Sequence, residues 1–226
     1  MLLLVTDTSG KQGSVALARA GERDPHEVEV IEGAPLVGGA FSAQLVPQIA
    51  ALLAKHRFSK ADIDAFIVVS GPGSFTGLRV GLAAIKALAE ILKKPIVAAS
   101  LLEVVAVASR AEGKVAAALD AGRGDVYFGG YEITPDTVQV LQEHLLSKAE
   151  LFSAARDSTI VTPDPNWVAI AREAGLKVLA VEAPTAEMIT RLGWKRLQAG
   201  ETVSPEQLEA NYMRRSDAEM FVKSSS

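Results

Sequence analysis

One pattern stated twice constrains this chain more than anything else in it. Val5-Thr6-Asp7-Thr8-Ser9-Gly10 and Ala118-Leu119-Asp120-Ala121-Gly122-Arg123 each close an apolar stretch on an aspartate and small residues. A second stretch then follows each, Ser14 to Ala18 in the first half and Val126 to Tyr131 in the second. An apolar run that stops at Asp and Gly and then resumes reads as a strand, a polar turn and a returning strand. The two aspartates lie 113 positions apart (120 − 7), half of the 226 residues. With a strand–helix–strand order after each hairpin, the repeat predicts an internally duplicated α/β fold of two similar lobes, mixed sheets flanked by helices.

Within the first half, strands are expected at Leu2 to Thr6, Ser14 to Ala18 and Val28 to Glu32, with Gly33 to Gly39 as loop. Leu45, Ile49, Leu52 and Leu53 fall on one side of a helix ending near His56, in which Pro47 is tolerable only in the first turn. Asp64 to Val69 reads as a strand, Thr76 to Lys93 as a helix closed by Pro95, and Ile96 to Ala99 as a strand, which together imply a parallel crossover. The second half predicts strands at Val115 to Leu119 and Val126 to Tyr131 around the turn Asp120 to Gly124, and further strands near Val138, Ile160 and Val178. Helices are expected over Asn166 to Ala174 and Ala186 to Gln198. The lobes are set at 1–103 and 104–226, with the end of the chain able to fold back on the first lobe.

Inventory excludes several chemistries. The chain has no cysteine, so disulfides, thiolate nucleophiles and cysteine-held metals are out. Its three histidines, His26, His56 and His144, make no closely spaced metal pair. No stretch stays apolar for the ~20 residues of a membrane span, and the first residues lack a signal peptide's basic flank, so a cytoplasmic location is expected. A formal net charge of −4 is not that of a chain built to grip a nucleic-acid backbone. Arg191, Lys195, Arg196, Arg214 and Arg215 read either as solvated helix faces or as an RNA contact.

Two motifs could bind a ligand. Carboxylates at paired hairpin tips, with small neighbours that let backbone N–H groups approach, suit a metal–phosphate unit, so Asp7, Thr8, Ser9, Asp120 and Gly122 form a candidate nucleotide site. The same aspartates equally satisfy turn backbone groups. Gly71, Pro72, Gly73 and Gly77 join a strand to a helix N-terminus, where anions are favoured. The segment nevertheless lacks the Gly-Lys-Ser/Thr ending of a phosphate loop, because Leu78 and Arg79 follow Gly77; a tight structural turn explains it as well.

The next helix is more telling. Over Val80 to Lys93 only Lys86, Glu90 and Lys93 form a polar stripe; Val80, Ala84, Leu88 and Ile91 make one apolar face and Leu82, Ile85, Ala89 and Leu92 another. A helix apolar nearly all round is either enclosed in its own domain or shared with a partner. A partner surface would comprise Val80, Ala84, Ile85, Leu88 and Ile91 with Leu45 and Ile49 of the preceding helix. No nucleophile–base arrangement stands out around Ser9, Ser74 or Ser100, so no catalytic residue is assigned.

In order and spacing, Leu4 to Ser9, Ser70-Gly71-Pro72-Gly73-Ser74-Phe75-Thr76-Gly77-Leu78-Arg79-Val80-Gly81 and Leu119 to Tyr127 resemble the bacterial TsaB (YeaZ) family. The G-P-G-S-F-T-G-L-R run is the specific part; the likeness covers the first 135 or so residues and ends loosely at Tyr212-Met213-Arg214, a Y-x-R element. The resemblance implies an actin/Hsp70-like two-lobed fold and a non-catalytic role as scaffold and activator of the paralogue TsaD. That subunit transfers threonylcarbamoyl to N6 of the tRNA adenine next to the anticodon. It also implies docking through first-lobe helices, a TsaE-type ATPase in the assembly, homodimers when alone, and tRNA reached through the complex. No cofactor is required of this chain, while ATP or ADP with magnesium is compatible with the complex. Phe41 stands where the family often has histidine, which puts a ligand role there in doubt and could enlarge an apolar docking surface. The alternatives are a free-standing actin-like ATPase or small-molecule kinase, and an M22-type peptidase whose metal histidines are missing here.

Overall fold

Leu2 to Val5 are apolar on both faces of the chain and fully enclosed, which is the signature of a central strand covered on both sides. The computed structural model describes residues 1–21 and 27–214; His26 and Arg215 lie outside them. In chain order the elements are β1 (Leu2–Asp7), β2 (Gln12–Ala20), β3 (Val28–Val37), α1 (Phe41–Lys55), β4 (Ala65–Gly71), α2 (Phe75–Leu92) and β5 (Ile96–Ser100). There follow α3 (Leu101–Ala108), β6 (Gly113–Gly122), β7 (Asp125–Ile133), β8 (Val138–Ser147), α4 (Lys148–Ala154), β9 (Thr159–Thr162), α5 (Pro165–Glu173), β10 (Val178–Ala180) and α6 (Ala186–Gln198).

The chain forms two compact units, Met1–Leu101 with Pro184–Asn211, and Leu102–Ala183 with the segment from Tyr212. The chain passes to the second unit at Leu102, returns to the first for α6 and leaves it again after Asn211.

Each unit is built on a five-stranded sheet, ordered β3-β2-β1-β4-β5 in the first and β8-β7-β6-β9-β10 in the second. Both open with two antiparallel ladders, β1/β2/β3 and β6/β7/β8, and continue with parallel ones, β1/β4/β5 and β6/β9/β10. The likeness extends to an extra residue in each edge strand, Ile31 in β3 and Leu141 in β8, where the register slips by one. Such bulges twist an edge away from pairing with other chains.

In the first unit α1 and α2 cover one face of the sheet with Leu45, Ile49, Leu52, Leu53, Leu82 and Ile85. There α6 packs against β3, β5, β1, β2 and β4, with Ile189, Leu192 and Trp194 buried. In the second unit one cluster gathers Trp167, Ala171, Leu151 and Phe128 under α4 and α5, and another gathers Leu102, Val105, Tyr131 and Val161 under α3. Burying one such aliphatic side chain contributes roughly 1.5–3 kcal/mol, so these layers hold the sheets together.

Four elements depart from expectation. Gly33 to Val37 is strand and not loop, because each residue from Gly33 to Val37 pairs with β2, down to Val37 opposite Gln12; Pro35 is tolerated since β3 is an edge strand with no ladder on its outer side. Pro47 lies in the second turn of α1, past the first, on the exposed side of the helix, where it offers no N–H to the carbonyl of Ala43. Two helices without a counterpart in the expected series, α3 and α4, complete the second unit.

Candidate functional site

In the first unit the turn after β1 is fastened from within. Asp7 Oδ1 accepts from Ser9 N at 2.8 Å and from Ser9 Oγ at 2.6 Å. Burial pushes the Asp7 carboxyl above the usual carboxylate range, opposed by the two Ser9 bonds. Thr8 and Ser9 are buried: Thr8 Oγ1 donates to Gly77 O at 2.8 Å, and Ser74 N donates to Ser9 O at 2.6 Å. Ser74 also caps α2, its Oγ accepting from Gly77 N at 3.2 Å.

The glycine-rich segment is shaped by this turn. Gly73, Gly77 and Gly81 recur every fourth residue, and a Cβ on them would collide with Ser9 O, Thr8 O and Thr8 Oγ1 respectively. Phe41 packs its ring over Gly13 and Gly77, at 2.9 and 3.2 Å from where their Cβ atoms would stand, and is 5% exposed. Phe41 therefore does not enlarge a docking surface; it closes the back of the turn. The motif is a joint in which the first turns of α2 lie directly on the backbone of Thr8 and Ser9. A phosphate arriving here would have to displace bonds that the fold already makes, so Thr8 and Ser9 as they stand do not fit a phosphate cradle.

The corresponding turn of the second unit is open. Asp120 is exposed, and its Oδ1 accepts from Gly122 N at 3.2 Å and Trp167 Nε1 at 3.4 Å. Gly122, Arg123 and Gly124 all take positive φ (73°, 61° and 83°). Arg214 Nη2 donates to Gly122 O at 3.2 Å and to Asp125 Oδ2 at 2.6 Å. Burial raises the Tyr127 hydroxyl above its ordinary pKa; Arg214 lowers it and Asp120 raises it. The structure thus places Asp7, Thr8 and Ser9 on one unit's turn and Asp120 and Gly122 on the other's.

The second candidate surface lies on α1 and α2, which pack on each other. Leu45, Ile49 and Ile85, expected at a partner surface, are 1%, 5% and 0% exposed in the unit's own core. What stays open is narrower: Ala83, Ala87 and Ile91, the last 71% exposed, beside half-buried Val80, Ala84 and Leu88. From α1 come exposed Ala43, Val46, Pro47 and Ala50. Val46 escapes a search for the buried stripe, since it follows Leu45 but points about 100° away from it around the helix. Polar groups bound the face: Glu90 pairs with Lys93 at 2.5 Å, and Arg79 lies 3.7 Å above the Phe75 ring.

Residues 36–178 match the family model of TsaD, tRNA N6-adenosine threonylcarbamoyltransferase. The tRNA threonylcarbamoyladenosine biosynthesis protein TsaB of Escherichia coli is 28% identical, with 95% of each chain aligned. The chain belongs to the TsaB/YeaZ family. TsaB of Bacillus subtilis is 33% identical over 58% of this chain and 56% of that relative. The solved structure of YeaZ from Pseudomonas aeruginosa superposes with a TM-score of 0.71 at 28% identity, covering 93% of this chain and all of that one (100%).

The fold is accordingly the duplicated two-lobe α/β architecture expected from the repeat, of the actin/Hsp70-like kind that the family resemblance implies. Within this TsaB/YeaZ chain the G-P-G-S-F-T-G-L-R segment is the joint that seats α2 on the Asp7 turn, and the Tyr212-Met213-Arg214 element delivers the guanidinium that meets Asp125. Among the described residues no helix is long and apolar enough to cross a membrane, and no cluster of three His, Asp or Glu side chains could hold a metal ion.

Proposed function

We propose that this chain is a non-catalytic accessory subunit in tRNA threonylcarbamoyladenosine formation, acting as scaffold and activator of a TsaD-type catalytic subunit. The observation that carries this reading is the open stripe on α2. An isoleucine that is 71% exposed, beside alanines at 83, 84 and 87, is a surface on which a second helix can settle at close range. A paralogue with the same lobe architecture offers helices of matching kind. The same stripe serves self-association when the partner is absent, so the isolated chain is a homodimer. A TsaE-type ATPase joins the assembly, and tRNA is held mainly by other subunits, in keeping with the net charge of −4. Any ATP or ADP with magnesium belongs to the complex, because the Thr8–Ser9 turn is already committed to α2.

Light scattering on the purified chain mixed with a TsaD-type subunit tests the reading. A one-to-one complex should form with the parent chain and be lost with Ala87→Arg or Ile91→Glu, while the melting temperature of either variant stays at the parent value. A complex that survives both substitutions would remove α2 from the interface. Steady nucleotide turnover by the isolated chain would favour the ATPase alternative.

A further inference from the structure

We infer that the C-terminal segment Tyr212–Met213–Arg214 is a latch that holds the β6–β7 turn in its shape. The inference is independent of docking on α2. It starts from a backbone problem: three consecutive residues of this turn, Gly122, Arg123 and Gly124, have positive φ. Two-residue hairpin loops favour positive φ, but Arg123 carries a Cβ that makes it unfavourable there, so a tie across the turn helps to hold it. The ladder closes on the two-residue loop at the Gly122–Asp125 pair, but only after its register slips between Asp120 and Gly122.

Arg214 adds a side-chain tie across that closing pair. One guanidinium nitrogen reaches both ends of the turn, the carbonyl of Gly122 at 3.2 Å and the carboxylate of Asp125 at 2.6 Å. Arg214 and Asp125 side chains are 23% and 37% exposed, so the charged bond is partly shielded from solvent. Met213, packed against the cluster under α3, fixes where the guanidinium can stand. Tyr127 responds to Arg214 and Asp120 together, which places all three groups in one neighbourhood.

The test is amide hydrogen exchange on the full chain. Arg214→Ala should speed exchange at Gly122 to Asp125 by about tenfold, as expected for loss of a hydrogen bond to a charged group, and leave Val115 to Ala118 of β6 unchanged. Asp125→Asn should act in the same direction, and the double variant should exceed neither single one by more than about twofold, since both break one contact. Arg214→Lys should fall between, because an ammonium keeps the charge without the planar fork. Unchanged exchange at the turn in Arg214→Ala would overturn the latch. Equal acceleration in β6 would overturn it too, by showing that Arg214 acts on the stability of the whole unit.

Discussion

The two units share a strand order and differ in their helices. Between third and fourth strands the first unit has the 15-residue α1 where the second has the 7-residue α4; between fourth and fifth, the 18-residue α2 faces the 9-residue α5. The short α5 buries Trp167, Val168 and Ala171 on its own sheet. The long α2 does the same with Leu78, Leu82, Ile85 and Ala89, and still has an apolar stripe left over. The aspartate turns diverge in the same way. In the first unit glycines of α2 let the helix lock the turn; α5 has no glycine, and an arginine from the far end of the chain fastens the second turn instead. One copy of a duplicated lobe can keep its sheet unchanged while added helix length creates a surface that the lobe itself does not need.

Substitutions can break or sharpen that contrast. The largest effect is expected at the joint: Gly77→Ala drives a methyl group into the Thr8 carbonyl and should cost at least about 3 kcal/mol in urea unfolding. Ile85→Ala, on the buried side of α2, should cost about 2–5 kcal/mol by the same measurement. At the open turn, Gly122→Ala has room for its methyl and meets only the left-handed backbone, so about 1 kcal/mol is expected. If Gly77→Ala cost no more than Gly122→Ala, the joint would not be the rigid element described here.

A smaller effect is expected at Asp7. Because burial raises the Asp7 pKa on folding, the native state holds that proton more tightly than the unfolded chain. The contribution is stabilising below the unfolded pKa and is lost as pH rises through the folded one. Asp7→Asn should therefore be at least as stable as the parent at pH 7, with its advantage shrinking as pH falls toward 4, in melts taken across that range. Smallest of all, Ile91→Ala should change stability by no more than about 0.5 kcal/mol, while weakening association.

How much of this the sequence discloses varies by element. Both hairpins and the α2 helix are legible because an alternating or helical apolar pattern runs into Asp, Gly or Pro. Gly33 to Val37 is not, since Gly33 and Pro35 suggest loop and only pairing with β2 makes them strand. The α4 helix does carry a readable signal, Ser147 and Glu150 in a capping box, whereas α3 is Leu, Val and Ala around a single polar residue, Glu103, too little to mark its period. Of the apolar faces on α1 and α2, the pattern shows that they exist but not which side the sheet covers, and so Leu45, Ile49 and Ile85 cannot be told from Ile91. Nor does any local signal join Arg214 to Asp125, 89 residues earlier. The glycine spacing 73, 77 and 81 is visible, but its reason is the backbone of Thr8 and Ser9, which only the fold brings there.

The central claim is that this chain works through a partner and not by chemistry of its own. Threonylcarbamoylation of tRNA reconstituted from purified components, with this chain present, omitted or supplied without the TsaD-type subunit, tests it most directly. Product that forms only when both are present is the expected result; product from this chain alone, or product undiminished by its omission, would contradict the account.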